Sequence, residues 1–562
     1  MEADAPQPRP AGAPGDPGGN PRADRLARWA ALALLLALAL FGRRYHWVEE
    51  AGTAERDGYA GQAELLLAGS LPHDPYRPLL YPLAAAAITP LAGDAFSAAR
   101  LISNLAAAWL AWLAYGYGRR LGGAAAGGWA MALIAVNPNL WIIGQHATTD
   151  MLFAALAAAA LLAGLSYLQA PAAPAAVGAG LALGLAAFTR SNAVFLVPAL
   201  LAAWWLAPAV AAPGAGGPPA APAPRSARLR HLAVAAAAAL VGLLPHWALR
   251  RVEFGSPFYD ENWKNLAFKL YGYPDWSYLN RVPFHSAAEV ALHDPGAVLR
   301  GGFAELWRFG VSGAAQLLGT WAHVLLVAAG AVWAMAGSRG RPGKAAAEPA
   351  APAWQGEARR RCAIWLALSL LSFLGATAFT FFTWGRLLLA LLPGAYALGF
   401  APWACVAGAA AGRRKATRWV TLAAGAGCAA LVALLAVKTF AYRLPAFAAR
   451  HPYVEVELLR RLDARLPPGA VLAGTSPFLG RYLTHRYVSI PDAFGAEVSA
   501  PGLYYAKLAR LVRDARISYL VAGEVDLRSR PPGLLASNAP VPWLAPAGAE
   551  RGVAVWRVVA GR

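Results

Sequence analysis

RRYHWVEEAGTAERDGYAGQAELLLAGSLPHDPYRPLLYPLAAAAITPLAGDAFSAAR, residues 43–100, is the stretch whose reading decides the fold. It lies between a first apolar run, Trp29 to Phe41, and a second, Ala95 to Tyr117. A long polar stretch with apolar runs at both ends is a loop pinned to a bilayer. Within it Asp57, Gly58 and Tyr59 open an apparent helix from Tyr59 to Ala68. The carboxylate of Asp57 sits where the helix dipole favours negative charge. An ordinary capping role would account for such an aspartate. A long, charged, partly helical loop held at a membrane points instead to a site, and makes Asp57 the candidate reactive carboxylate. Residues 78–92, PLLYPLAAAAITPLA, read as a juxtamembrane or re-entrant helix pair broken by prolines.

Composition agrees with this reading. The chain is 58% hydrophobic with a mean hydropathy of +0.41, too apolar for a soluble protein of 562 residues. The net charge of +20 could suggest nucleic acid. In a membrane protein it reads as excess Lys and Arg in cytoplasmic loops. The cysteines, Cys362, Cys405 and Cys428, lie in or near apolar runs, so no disulfide framework or cysteine metal site is indicated.

Residues 1–24, rich in Pro, Gly, Ala and Asp, read as a disordered tail. Residues 25–440 read as a helical membrane domain of about 11 spans. After the first, they are expected near 95–118, 123–143, 149–168, 175–189, 191–207, 231–250, 311–335, 362–383, 387–408 and 418–437. The loops 43–94 and 251–310 carry amphipathic helices. Basic residues gather on alternate loops: Arg119 and Arg120, then Arg225, Arg228 and Arg230, then Arg359, Arg360 and Arg361, then Arg413, Arg414 and Lys415. That asymmetry puts these loops in the cytoplasm, the N-terminus with them, and residues 441–562 outside. The tail alternates helices with short apolar strands: helix 454–466, strand 470–474, helix 503–515, and strands 518–522 and 552–558. This pattern makes it a small α/β domain. The fold class is therefore a mainly α polytopic bundle with a C-terminal α/β domain.

On the opposite side from the basic loops, each loop carries an ionisable group: Asp57, then His146 and Asp150, then Arg190, Lys264 and Arg386. A charge near the bilayer costs a few kcal/mol unless paired or hydrated, so these are functional candidates. Carboxylates and cations at one face suit a reaction with an acidic base and an anionic leaving group, and a phosphate is the obvious anion. Bland readings stand beside these: snorkelling for Arg190 and Arg386, a helix cap for Asp150, and an aromatic belt around Lys264. His146 reads as structural before catalytic, and Tyr59 joins the substrate-binding candidates.

Five ordered fragments carry a family resemblance: ERDGYAGQAELLLAGSLPHDPYRPLLYP, AARLISNL, HATTDMLFAAL, GLALGLAAFTRSNAVFLVP and GRLLLALLP. Together they resemble the C-type, polyprenyl-phosphate-dependent glycosyltransferases, in the branches of protein O-mannosyltransferases and lipid A aminoarabinose transferases. The resemblance implies a sugar donor carried on a polyprenyl phosphate, an acceptor that is lipid, glycan or protein, and inversion at the anomeric carbon. It maps the family's first-loop acid onto Asp57, its second-loop acid onto Asp150, and phosphate-holding cations onto Arg190 and Arg386. Many relatives carry an acidic pair in the first loop, whereas here Gly58 follows Asp57. This departure puts in doubt a mechanism needing two adjacent carboxylates, a metal site included; Glu55, two residues before Asp57, is the open substitute. No certain cofactor follows, and a divalent metal ion stays open. No nucleic-acid partner is implied. The expected location is the inner (plasma) membrane. The rival readings are a transporter or flippase, a membrane scaffold, and an unrelated ligase sharing the donor.

Overall fold

A computed structural model describes residues 21–44, 58–72, 77–210, 225–271, 284–336, 353–381, 383, 385–402, 416–448, 460–474, 483–489, 501–522, 543–550 and 553–559. Asp57 and Glu55 lie outside the described residues, as do residues 1–20 of the expected tail.

The described chain is mainly helical. Helix α1 is Pro21–Arg44, and α2 is Tyr59–Leu67, close to the expected Tyr59–Ala68. Its N-cap position is held by Gly58 at φ 73, so the Asp57–Gly58 pair has a backbone reason. An acidic side chain at position 58 would be forced into the strained left-handed region. Residues 78–92 do not form a helix pair. They give one helix, α3 (Leu80–Ala92). Pro82 falls in its first turn, where no backbone donor is needed, and Pro90 in its last, where little helix remains to be broken.

Helix α4 is Ala95–Ala135 and breaks at Gly123, φ 83 and ψ −178. A Cβ on Gly118 would strike the backbone of Ala126 and Gly127, and one on Gly127 the backbone of Tyr115. Residues nine apart in a straight helix stand roughly 13 Å apart, so the two arms fold back as a tight hairpin. The spans expected near 95–118 and 123–143 thus fall on one bent helix whose second arm ends at Ala135, short of the expected end. Next come α5 (Pro138–Ile143), α6 (Asp150–Gln169) and α7 (Ala173–Thr189). A 3-10 turn (Ser191–Leu196) then leads into α8 (Val197–Val210), and α9 is Arg225–Phe254. Gly180 and Gly184 bring α7 against the backbone of α9 at Ala235 and Ala239. Small residues here let the helices approach closely, as membrane helices do without a hydrophobic drive between them.

The second long loop holds α10 (Trp263–Tyr271), α11 (Ala287–His293) and α12 (Pro295–Arg308). The span expected at 311–335 is not one straight helix. Helix α12 continues through a π-turn into α13 (Ala314–Leu318), and the chain bends by 102° at Gly319 into α14 (Trp321–Ala336). Helix α15 is Ala353–Thr380; a 3-10 turn, Gly385–Leu391, precedes α16 (Leu392–Phe400). Helix α17 (Ala416–Val437) runs through a second π-turn into α18 (Leu444–Ala448). Among the described residues, six helices are long and apolar enough to cross a bilayer, or seven if the bent pair counts as one. The expected eleven is not reached by this measure, since several apolar segments are shorter helices or are broken by turns.

The C-terminal region is described by itself. Five strands, β1 (Val471–Gly474), β2 (Arg486–Ser489), β3 (Tyr519–Ala522), β4 (Leu544–Glu550) and β5 (Val553–Val558), form a sheet of order β2-β1-β3-β5-β4. The first three are parallel, and β5 pairs antiparallel with β3 and β4. Helix α19 (Pro501–Asp514) packs Leu508 and Val512 on Val471, Ala473 and Leu520. Strands β1, β3 and β5 and helix α19 follow the sequence reading. Strands β2 and β4 were not foreseen: RYVS is short, and LAPAGAE is weak in β-branched residues.

Candidate active site

Asp150, Arg190 and Arg386 meet at one end of the bundle. Asp150 is the first residue of α6, and the cap position belongs to Thr149, which makes no side-chain cap bond. The carboxylate is therefore not spent as a cap. It is buried, and its Oδ1 accepts from Arg190 Nη1 at 2.7 Å. Its Oδ2 accepts from Thr148 Oγ1 at 3.0 Å and lies 3.7 Å from Arg386 Nη1. Arg190 reaches it because α7 ends there in extended backbone, and the guanidinium also donates to Thr149 Oγ1 at 3.1 Å. A buried charge is tolerated when paired and hydrogen-bonded, and two guanidiniums and a hydroxyl meet that need.

The first loop joins the cluster through Tyr59. Its hydroxyl shares a 3.2 Å hydrogen bond with Thr149 Oγ1, next to Asp150. The ring packs edge-on against Tyr81, with centroids 5.5 Å apart, and the Arg77 guanidinium lies 5.8 Å from its centre. Tyr81 is anchored in turn, donating to Ala99 O at 2.6 Å and bonding Ser103 Oγ at 2.9 Å. Ser103 donates to His146 O at 2.8 Å. So His146 enters through its main chain, while its ring lies 6.3 Å from that of Phe447. The imidazole does not bond Asp150. Lys264 does not reach Asp150 either. It is buried, pairs with Glu261 at 2.6 Å and lies 5.5 Å from the centre of the Trp263 ring.

Ser191, the residue after Arg190, lines a cleft of about 530 Å³ between α7 and α9. Its walls are apolar, with Leu183, Val194, Val197 and Leu240 among them. Arg250, Asp260 and Asn262 add polar groups to its lining. Burial pushes the Asp260 carboxyl up, against the opposing pull of the Asn262 hydrogen bonds and of Arg250. Asp260 lies in the loop 251–310 but is not among the residues that the sequence singles out. The cleft shows only when α7 and α9 are side by side.

The other end of the bundle is basic. Arg119 pairs with Asp24 at 2.7 Å, and Arg120 donates to Gln169 at 3.1 Å. Arg360 donates to Ala334 O at 2.8 Å. Among the described residues no three His, Cys, Asp or Glu side chains gather to hold a metal ion. The carboxylate at the site faces two guanidiniums, a donor set that suits an anion above a cation.

Residues 76–214 match the family model of dolichyl-phosphate-mannose-protein mannosyltransferase. Among solved structures, ArnT from Cupriavidus metallidurans bound to undecaprenyl phosphate superposes with a TM-score of 0.55 at 16% identity, covering 97% of this chain and 99% of that one. The same protein in its apo state gives 0.52 at 14% identity, covering 95% and 98%. No curated protein matches the sequence. With its apolar helices and this family match, the chain is an integral membrane enzyme, a glycosyltransferase. Its fold is of the ArnT type, and residues 76–214 are similar to the mannosyltransferase family.

Proposed function

We propose that the protein transfers a sugar from a polyprenyl-phosphate carrier to an extracytoplasmic lipid, glycan or protein acceptor, with inversion. The observation that carries this reading is the convergence of Arg190 and Arg386 on the buried carboxylate of Asp150. Two guanidiniums on one carboxylate leave one positive charge in excess, so the cluster is a preorganised anion site. A departing phosphate draws on the same donors.

In the reaction an acceptor hydroxyl attacks the anomeric carbon in line with the bond to the carrier. The C–O bond breaks, and its electron pair leaves on the phosphate oxygen. The acceptor proton goes to Asp57, which precedes Tyr59 by two residues in the sequence, while the Tyr59 hydroxyl sits beside Thr149. Arg386 and Arg190 stabilise the charge that builds on phosphate, and Asp150 and Thr149 keep the guanidiniums aimed. The apolar α7–α9 cleft beside Ser191 suits a prenyl chain, and ArnT, the similar fold, was solved with undecaprenyl phosphate bound. Lys264, amid the aromatics of α10, shapes the pocket from the second loop. The basic end faces the cytoplasm and the site faces outward, at the inner membrane.

The test is transfer of a labelled sugar from a polyprenyl-phosphate donor to candidate acceptors by purified protein. Arg386→Ala should nearly abolish turnover. Arg386→Lys, which keeps charge but loses the planar fork, should fall between Ala and wild type. Normal transfer by both would reduce Arg386 to an anchor. A transporter would instead show altered uptake with no glycan formed.

A further inference from the structure

Arg386 stands in a stretch with no long helix of its own. Helix α15 ends at Thr380, and a 3-10 turn begins at Gly385. The leucines of that turn are buried in the bundle core, and the stretch just before it is held by contacts from the second loop. On α12, Glu305 is buried, and its Oε2 accepts from Thr383 N at 3.0 Å and Thr383 Oγ1 at 2.9 Å. Arg308, one turn further on, pairs with Oε1. Neighbouring contacts add to the seat. Gly302 leaves room for the Phe379 ring against α12, and Phe303 meets that ring edge-on at 5.5 Å. Lys269 of α10 donates to Ala378 O. The carboxylate thus holds both the main chain and the side chain of one residue, three before Arg386. An apolar contact could anchor the two elements without the cost of burying a charge. A carboxylate taking both an N–H and an O–H fixes Thr383 in position and orientation.

We propose that Glu305 is the positioning residue for Arg386, locking Thr383 so that the guanidinium is presented beside Asp150. The α12 helix of the second loop thereby sets the geometry of the anion site. This rests on the reading of Arg386 as a phosphate ligand. Glu305→Gln keeps the shape but not the charge, and hydrogen bonds to charged groups are the stronger ones, so kcat should fall about 10-fold. Thr383→Ser keeps both bonds and should behave as wild type, while Thr383→Val should behave as Glu305→Gln.

The experiment uses the full chain in nanodiscs with two readouts. Hydrogen–deuterium exchange over residues 385–391 reads the clamp; sugar transfer, with kcat and KM separated, reads its consequence. Exchange should quicken in Glu305→Gln and Thr383→Val but not in Thr383→Ser. The kcat loss should vanish when Glu305→Gln is added to Arg386→Ala, because the positioned group is already gone. Unchanged exchange in Glu305→Gln overturns the proposal, whatever the transfer assay shows. So does quickened exchange with a kcat loss equally large in the Arg386→Ala background, which marks a merely structural acid. If wild type and Arg386→Ala transfer alike, the phosphate-ligand reading fails by itself and Glu305 loses its positioning role with it.

Discussion

Asp150→Asn tests whether the acid at the site is the counter-ion of two arginines. The substitution keeps the side chain's shape and removes its charge. The Asp150 side chain has 0% exposure, with Arg190 at 2.7 Å and Arg386 at 3.7 Å. An amide in its place removes the negative charge that both guanidiniums share. Breaking a buried ion pair costs about 3–5 kcal/mol. The two arginine side chains are 22% and 26% exposed, so water offsets part of this. The low end, about 3 kcal/mol, is expected, or roughly 100-fold in a local equilibrium. Most belongs to Arg190, whose contact is a charge-assisted hydrogen bond, whereas Arg386 at 3.7 Å acts through charge alone. Thermal unfolding in nanodiscs should show a midpoint several degrees lower. Inorganic pyrophosphate should restore more of that loss than it adds to wild type, since the anion replaces the missing carboxylate. Turnover should fall because the guanidiniums are no longer aimed. Adding Arg190→Gln to Asp150→Asn should cost less than the sum of the two single changes. A variant with wild-type midpoint and turnover, or strictly additive costs, would refute the counter-ion reasoning.

Other outcomes follow from the same structure. Asp57→Asn cannot take a proton and should slow transfer by roughly 10²–10⁴-fold with donor binding little changed; retained activity removes Asp57 as base and moves attention to Asp150 or Glu55. Reporter fusions after Arg120 and Arg230 should read cytoplasmic and one at Ser256 external, and the reverse pattern would place the site on the wrong side. In the C-terminal region burial alone would raise the Asp463 carboxyl, but hydrogen bonds from Thr484 Oγ1 and N and from His485 N and Nδ1 hold it down at about 2. A carboxyl depressed in the folded state stabilises above its unfolded value of about 3.9 and loses that stabilisation as pH falls through its folded value. Acid unfolding of this region between about pH 4 and 2, followed by tryptophan fluorescence of the full chain, should therefore be less pH-dependent in Asp463→Asn; an unchanged slope would dismiss the clasp.

The sequence alone determined the membrane class, the ends of α6 and α7, and which charged residues to suspect. Apolar runs declare themselves by length. A charge at the end of such a run is costly enough to stand out, which is how Asp150, Arg190 and Arg386 were singled out. The basic end was legible for the same reason. Gly58 was read as a missing carboxylate, and its left-handed backbone supplies the physical cause. Only tertiary structure decided that Asp150 and Arg190, 40 residues apart, share a hydrogen bond, or that Glu305 seats Thr383 across 78 residues. Separation along the chain carries no distance once helices fold back. The hairpin at Gly123, the bend at Gly319 and the α7–α9 cleft were illegible because each depends on which surfaces meet. Glu305 looked like one more acid on an amphipathic helix until α12 was laid against the end of α15. Its partners, a backbone N–H and a threonine hydroxyl, leave no charge pattern in the sequence to reveal it.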